Sequence, residues 1–242
     1  MILRALGLGT DPAGGVVESG SGGRAATHLF SDRRDAGRQL AARLEHFREQ
    51  EPVVLGLPRG GIPVAYEIAR SLEAPLDLLM VRKICAPEQA ELAIGAVVDG
   101  ATPQVVLNED LVERLGVSKD YVAMQRLDQL AEIERRRQLY RGDTQAVDTA
   151  GRLVILADDG IATGASVRAA LLALSRTGPA HLVLAIPVAA PNALQAISSM
   201  ANETICLATP ESFDAVSRYY ADFEQTSDEE VIDLLAASRY GI

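Results

Sequence analysis

The sequence predicts an α/β protein built on a doubly wound, mostly parallel sheet, and three observations predict it. Short runs rich in Val, Ile and Leu recur at residues 52–57, 76–84, 152–157 and 181–188; continuous apolar runs of this length mark strands buried on both faces. Between them lie stretches with apolar residues at spacings of three and four, the period of a helix that buries one side. The 242 residues, 48% of them hydrophobic, suit one α/β domain with an appendage or two small domains, with ample room for a core.

Residues 1–24 read as a Gly/Ser-rich tail, because TDPAGGVVESGSGGR cannot bury enough apolar surface to offset the entropy of ordering it. The domain is expected over 25–242. From Asp32 the pattern turns helical, with Ala36, Leu40, Ala41, Leu44 and Phe47 on one side and Ser31 or Asp32 as the N-cap. Residues 52–57 predict a buried strand, PRGG a turn, and Ile62, Ala65, Ile68, Ala69 and Leu72 the inner side of a second helix. Residues 76–84 read as one strand, CAPEQAELA as a loop, and 93–98 and 104–108 as short strands. Residues 109–141 are charged and helical, an insertion that is either a solvated face or an arm packed on a partner. After a linker at 142–151, the strand at 152–157 leads through a polar turn into a helix that ends at Gly178-Pro179. The strand at 181–188, a helix at 191–200 and a strand at 204–208 complete the sheet. The remainder carries Phe213, Tyr219, Tyr220 and Phe223, then an acidic helix at 227–238.

Charge and composition exclude several functions. The formal net charge is -10, with 33 acidic and 23 basic residues, so no broad basic face is available to displace counterions from a nucleic acid. Two cysteines, Cys85 and Cys206, make neither a disulfide framework nor a metal cluster, and a cytoplasmic setting is expected. The N-terminus has no signal-peptide pattern. No apolar run approaches the roughly 18 residues that span a bilayer.

Ligands of parallel sheets bind beyond the carboxyl ends of the strands, which singles out three loops. The loop after Ala157 reads DDGIATGAS. Its small residues, Ala162, Thr163, Gly164, Ala165 and Ser166, open a helix, and successive N–H groups there cradle an anion. Asp158 and Asp159 would repel that anion unless they bind something else, and vicinal hydroxyls suit them. By chemistry alone, an ordinary strand-to-helix turn with an Asp cap stays open beside this reading.

LVILADDGIATGAS, 153–166, resembles the phosphoribosyl pyrophosphate (PRPP) motif of type I phosphoribosyltransferases. From about residue 28 onward the chain is also similar to a bacterial stand-alone branch of that family, through LPRGG, VRK, DDGxATGA and the late block DFEQTSDEEV, 222–231. The resemblance implies PRPP and Mg²⁺ binding, with Asp158 and Asp159 on the ribose hydroxyls, and on the metal where it meets protein. Residues Ala162 to Ser166 would hold the 5-phosphate. It makes PRGG the pyrophosphate loop, with Arg59, Gly60 and Gly61 and often a cis peptide. It places Arg82 and Lys83 on the pyrophosphate and makes 85–92 a mobile lid, with Glu88 or Glu91 as distant candidates for proton handling. It implies a hood for the acceptor, formed by the N-terminal helix and about 208–242, where Phe213 would stack on a base or simply pack in the core. Homodimers are common in the family. Ala162 departs from the Asp that 6-oxopurine transferases carry there, which argues against hypoxanthine or guanine as acceptor. His28, His46 and His181 receive no catalytic role. The expected function is transfer of phosphoribose to a nucleobase-like small molecule by Lys83, Arg59, Asp158 and Asp159. Alternatives are a PRPP-binding regulator without transfer activity, and a phosphosugar hydrolase or phosphorylase.

Overall fold

A computed structural model describes residues 28–100 and 103–240; the Gly/Ser-rich tail assigned to 1–24 lies outside them. In chain order, α1 (Arg33–Leu44) leads to β1 (Val53–Gly56), α2 (Gly61–Leu72) and β2 (Leu76–Leu78). A β ribbon follows, β3 (Val81–Ala86), β4 (Gln89–Val98) and β5 (Gln104–Leu107), then α3 (Glu109–Arg114) and α4 (Lys119–Arg141). The chain returns through β6 (Leu153–Ala157), α5 (Ala165–Ser175), β7 (His181–Val188), α6 (Pro191–Ile197) and β8 (Glu203–Ala208) to α7 (Asp228–Tyr240).

The main sheet has the order β2-β1-β6-β7-β8, and every pair in it is parallel. Its strands are buried on both faces because their side chains alternate between two cores. Val54, Ile155 and Val183 face α1, α2 and α7, and Leu55, Leu156 and Leu184 face α5. Each such side chain removed from water contributes about 1.5–3 kcal/mol before conformational entropy is counted. The strand order reverses between β1 and β6, where the chain builds outward in both directions. A crevice opens there at the carboxyl ends, flanked by the loops after Gly56 and Ala157, which are register partners.

The run at 76–84 is not one strand. β2 is a short edge of the main sheet, and β3 belongs to the separate antiparallel ribbon β3-β4-β5. Leu79 and Met80 stay buried while the chain passes from one sheet to the other, so hydrophobicity does not drop at the crossing. The loop expected at 85–92 is likewise mostly strand. β3 and β4 meet across Pro87 and Glu88, with Glu88 at φ 60°, and the pairing is irregular around Cys85. Its small and polar residues carry weak strand preference, and antiparallel pairing overrides it. Tyr121 of α4 also donates to the Cys85 carbonyl at 3.1 Å.

The helical insertion has two pieces. Asn108 caps α3 and Ser118 caps α4, each accepting from the amide three residues on. α4 is more than a solvated arm, because Ile133 and Tyr140 are buried in the same core as α2 and α7. On its charged side Arg135 and Arg136 hold Glu132 at 2.8 and 2.7 Å and bring its carboxyl down to about 2. At its end Arg141 is buried, and Nε, NH1 and NH2 donate to Asp77, Asp99 and the Leu78 carbonyl.

Candidate functional site

The crevice is closed on one side by the turn after β1. The Pro58–Arg59 peptide is cis, matching what the resemblance implied. α2 begins immediately after it, and the first-turn amide of Gly61 returns to the Leu57 carbonyl at 2.9 Å. A side chain at Gly61 would lie 2.9 Å from the Ala157 carbonyl and 3.0 Å from Asp158 Cα, so only glycine lets the two loops approach this closely. Gly60 lies against the Asp159 carboxylate in the same way. Arg59 is partly exposed and its NH1 lies 3.7 Å from Asp228 Oδ1, on the first residue of α7. Asp228 also accepts from the Tyr140 hydroxyl at 2.6 Å. Burial and that carboxylate push the phenol up to about 12.

On the other side stand Asp158 and Asp159. Burial pushes both carboxyls up, Asp158 well above the ordinary range and further because Asp159 is its neighbour. Arg33 and the Asp159 amide oppose that rise at both, and only Asp159 takes a hydrogen bond from Arg33. Arg33, the first residue of α1, donates from Nε to Asp159 Oδ2 at 2.8 Å and pulls Asp159 back down. Asp158 Oδ1 accepts the Asp159 amide at 2.9 Å. The remaining oxygens, Asp158 Oδ2 and Asp159 Oδ1, take no hydrogen bond from any other described residue. Two half-buried carboxylates with an open acceptor each suit a pair of hydroxyl donors or a hard cation. Tyr220 fixes the backbone beneath them, donating to the Asp159 carbonyl at 2.6 Å. Burial raises its phenol too, far above the neutral range.

Beyond the acids, Ile161 pairs with Ala189 and turns the chain toward α5. Gly164 caps α5 at φ 75°, a backbone conformation glycine adopts without steric cost. The amides that open α5 have no intrahelical partner, and its first turn holds no acid to compete with an anion. Ala162, Thr163 and Ala165 are exposed, and Ser166 is half-buried.

The basic pair is split by the strand that carries it. Lys83 is exposed and, with Asn108, Ala165, Ser166 and Arg168, lines a cavity of about 120 Å³ between the ribbon and α5. Arg82 points to the other face, where Nε donates to Gln129 of α4 at 3.1 Å. The structure therefore brings Lys83 to the small-residue loop and leaves Arg82 against the insertion. Phe213 is half-buried and stacks on Tyr219, with ring centroids 5.4 Å apart. Val216 of the same segment abuts Gly160. His46 and His181 both lie near the Phe47 ring, away from these loops. Glu88 sits at the hairpin turn, and the Glu91 side chain lies outside the described residues.

Arg33, Tyr220, Phe223 and Asp228 receive no site role from the sequence. The one available signal is DFEQTSDEEV, a block that carries the family resemblance and holds two of the four. The pairing of Arg33 with Asp159 crosses 126 positions, and nothing local announces it.

Known proteins can be set beside this geometry. Residues 32–224 match the family model described as the phosphoribosyl transferase domain, well over half of the chain. A Mycobacterium tuberculosis protein, in strains H37Rv and CDC 1551, is provisionally named a phosphoribosyl transferase and is 46% identical over 209 residues. That alignment covers 86% of this chain and 46% of the relative, so the chain spans about half the length of the curated relatives it matches. The crystal structure of TT1426 from Thermus thermophilus is similar with a TM-score of 0.75 and 41% identity, over 85% of this chain and 97% of that one.

Proposed function

Because this chain belongs to the phosphoribosyl transferase family, we propose that it transfers the 5-phosphoribosyl group of PRPP to a small nitrogen heterocycle, such as a nucleobase, and releases pyrophosphate. One observation carries the reading. The two loops at the switch point bring an acid-free helix N-terminus, a carboxylate pair with open acceptors and Arg59 to one crevice. Those are partners for a 5-phosphate, a diol and a diphosphate respectively.

In this reading the amides from Ala162 to Ser166 hold the 5-phosphate, and Asp158 and Asp159 accept from the ribose hydroxyls. A nitrogen lone pair of the acceptor attacks C1, and the C1–O bond breaks with its electron pair leaving on pyrophosphate. The acceptor's proton passes to solvent or to a base not identified among these residues. Positive charge develops on the ribose ring, and the two nearby carboxylates favour it. Arg59, Gly60 and Gly61 hold the leaving group, and Lys83 adds charge from the ribbon. Arg82, turned to Gln129, takes no part unless the ribbon moves.

Asp158 and Asp159 fit Mg²⁺, since they are hard oxygen donors whose burial lacks a second counter-charge. They are two carboxylates rather than a full cage, which suits an ion that arrives on a diphosphate. The bound ion would neutralise charge on the leaving group. The hood is the segment between β8 and α7, since α1 and α7 pack on the main sheet; Phe213 borders the acceptor, and Ala162 argues against a 6-oxopurine. Among the described residues no helix is long and apolar enough to cross a membrane. We place the protein in the cytoplasm as a homodimer through α4, whose outer face exposes Met124 and Leu127.

The test is purified protein with Mg²⁺, PRPP and a panel of nucleobases, following pyrophosphate release. Release with at least one base is expected. Asp158→Asn with Asp159→Asn should weaken PRPP binding by roughly 100-fold or more, the scale of two charge-assisted contacts. Tight PRPP binding with no release from any base would instead identify a regulatory protein. No PRPP binding at all would defeat the reading.

A further inference from the structure

The block DFEQTSDEEV has no assigned part in the chemistry above, yet it touches both halves of the crevice. The guanidinium of Arg33 that pairs with Asp159 is also held by this block. NH1 donates to the Glu224 carbonyl at 2.7 Å, and the guanidinium lies 3.8 Å from the centre of the Phe223 ring. Only 12% of the Arg33 side chain is exposed. The anchor is itself fixed. Phe30 and Tyr220 form a strand bridge, Asp222 donates its amide to the Ser31 carbonyl at 2.8 Å, and the Tyr220 ring packs on both Phe30 and Phe223. Four residues past Glu224 comes Asp228, whose carboxylate faces Arg59. Ser227 caps the helix that presents Asp228, accepting the Glu230 amide at 3.1 Å.

We infer that Phe223–Asp228 is a clasp with two separate actions on the site. Arg33, fixed by Phe223 and Glu224, is a positioning residue for the ribose carboxylate. It holds Oδ2 of Asp159 and so aims Oδ1 into the crevice. Asp228 is a positioning residue for Arg59. It occupies the guanidinium in the empty site and gives it up to the diphosphate, which offers more negative charge and a bidentate edge. The clasp therefore supports the ribose end and competes at the leaving-group end. The 2.8 Å contact, nearly shielded from solvent, is the stronger of the two; the 3.7 Å contact, with both partners partly exposed, is the weaker.

The inference rests on the PRPP reading, and the experiment separates their failures by using half-ligands. Binding of ribose 5-phosphate and of pyrophosphate, both without Mg²⁺, is measured by calorimetry on wild type, Arg33→Gln and Asp228→Asn. Arg33→Gln should weaken ribose 5-phosphate roughly tenfold and leave pyrophosphate within about twofold. Asp228→Asn should tighten pyrophosphate roughly two- to fivefold and leave ribose 5-phosphate unchanged. The Asp228→Asn gain should vanish in an Arg59→Ala background. If either variant shifts both ligands together, the segment is only structural and the clasp is wrong. Wild-type binding of both ligands with no change in either variant also overturns the clasp while the PRPP reading stands. If wild type binds neither half-ligand nor PRPP, both fall.

Discussion

Arg141 and Arg33 each pair with carboxylates largely withdrawn from water, and they differ in what is left over. Around Arg141 all three side-chain nitrogens donate, and both oxygens of Asp77 and of Asp99 accept, including from the Val147 amide at 2.9 Å. Every carboxylate oxygen of that cluster is taken, with Arg137 Nε left without a partner, and the cluster joins the insertion to the main sheet. Around Arg33 one carboxylate is paired, its neighbour is held by a single amide, and an oxygen of each stays open. The first arrangement leaves no carboxylate oxygen open to a hydroxyl or a cation. The second is stabilised fully only when something else arrives, and that distinction, more than burial or charge count, separates a structural ion cluster from a site.

The largest expected effect tests the structural member. Arg141→Ala leaves buried Asp77 without its cationic partner and Asp99 with Arg137 alone, and should destabilise by about 3–5 kcal/mol in urea unfolding, with PRPP affinity of the folded fraction unchanged. A loss near zero would mean the cluster is not self-contained, and the contrast would fail. Gly61→Ala comes next. Its methyl group must move backbone at Ala157 and Asp158, so about 1–3 kcal/mol of stability and a weaker grip on PRPP should go together. If stability drops without any loss of binding, the loops do not need their close approach. Lys83→Ala, on the ribbon, should lower turnover about tenfold, or 1.4 kcal/mol, with a smaller change in PRPP affinity. An unchanged rate removes Lys83 from the mechanism.

The smallest effect has the opposite sign. Burial and Asp159 hold Asp158 above its unfolded value, so the folded chain keeps a proton that the unfolded chain releases from about pH 4 upward. Stability of the empty protein therefore falls as pH rises through that window. Asp158→Asn escapes the penalty and should melt a few degrees higher at pH 7, with the advantage shrinking to nothing near pH 4. A variant that melts lower at pH 7 would show that Asp158 is satisfied without a ligand, as Asp77 and Asp99 are.

Legibility in the sequence followed contiguity. The parallel sheet, α2, α5 and the residues after Ala157 could be read because each depends on a short window: apolar runs, helical spacing, and two acids ahead of a glycine. PRGG was legible for the same reason. The ribbon was legible only in part: 93–98 and 104–108 read as strands, but Leu79 and Met80 carry an apolar run across a change of sheet. The separation of Arg82 from Lys83 follows from that error. A basic pair at the end of a strand projects together, whereas within a strand its members face opposite ways. Arg33 was beyond reach, since its partners lie 126 and 191 positions away.

That last separation has a bearing on synthesis. As the chain leaves the ribosome, Arg33 emerges early and the loop at Asp158–Ser166 much later, and neither has its bracket until residues past Glu224 are out. The small-residue loop after Ala157 is contiguous with its own strand and helix, whereas the arginine beside Asp159 waits for a contact of very high sequence separation, the slowest kind to close. A nascent chain thus carries Asp159 for a time without a clamped arginine to fix one of its oxygens.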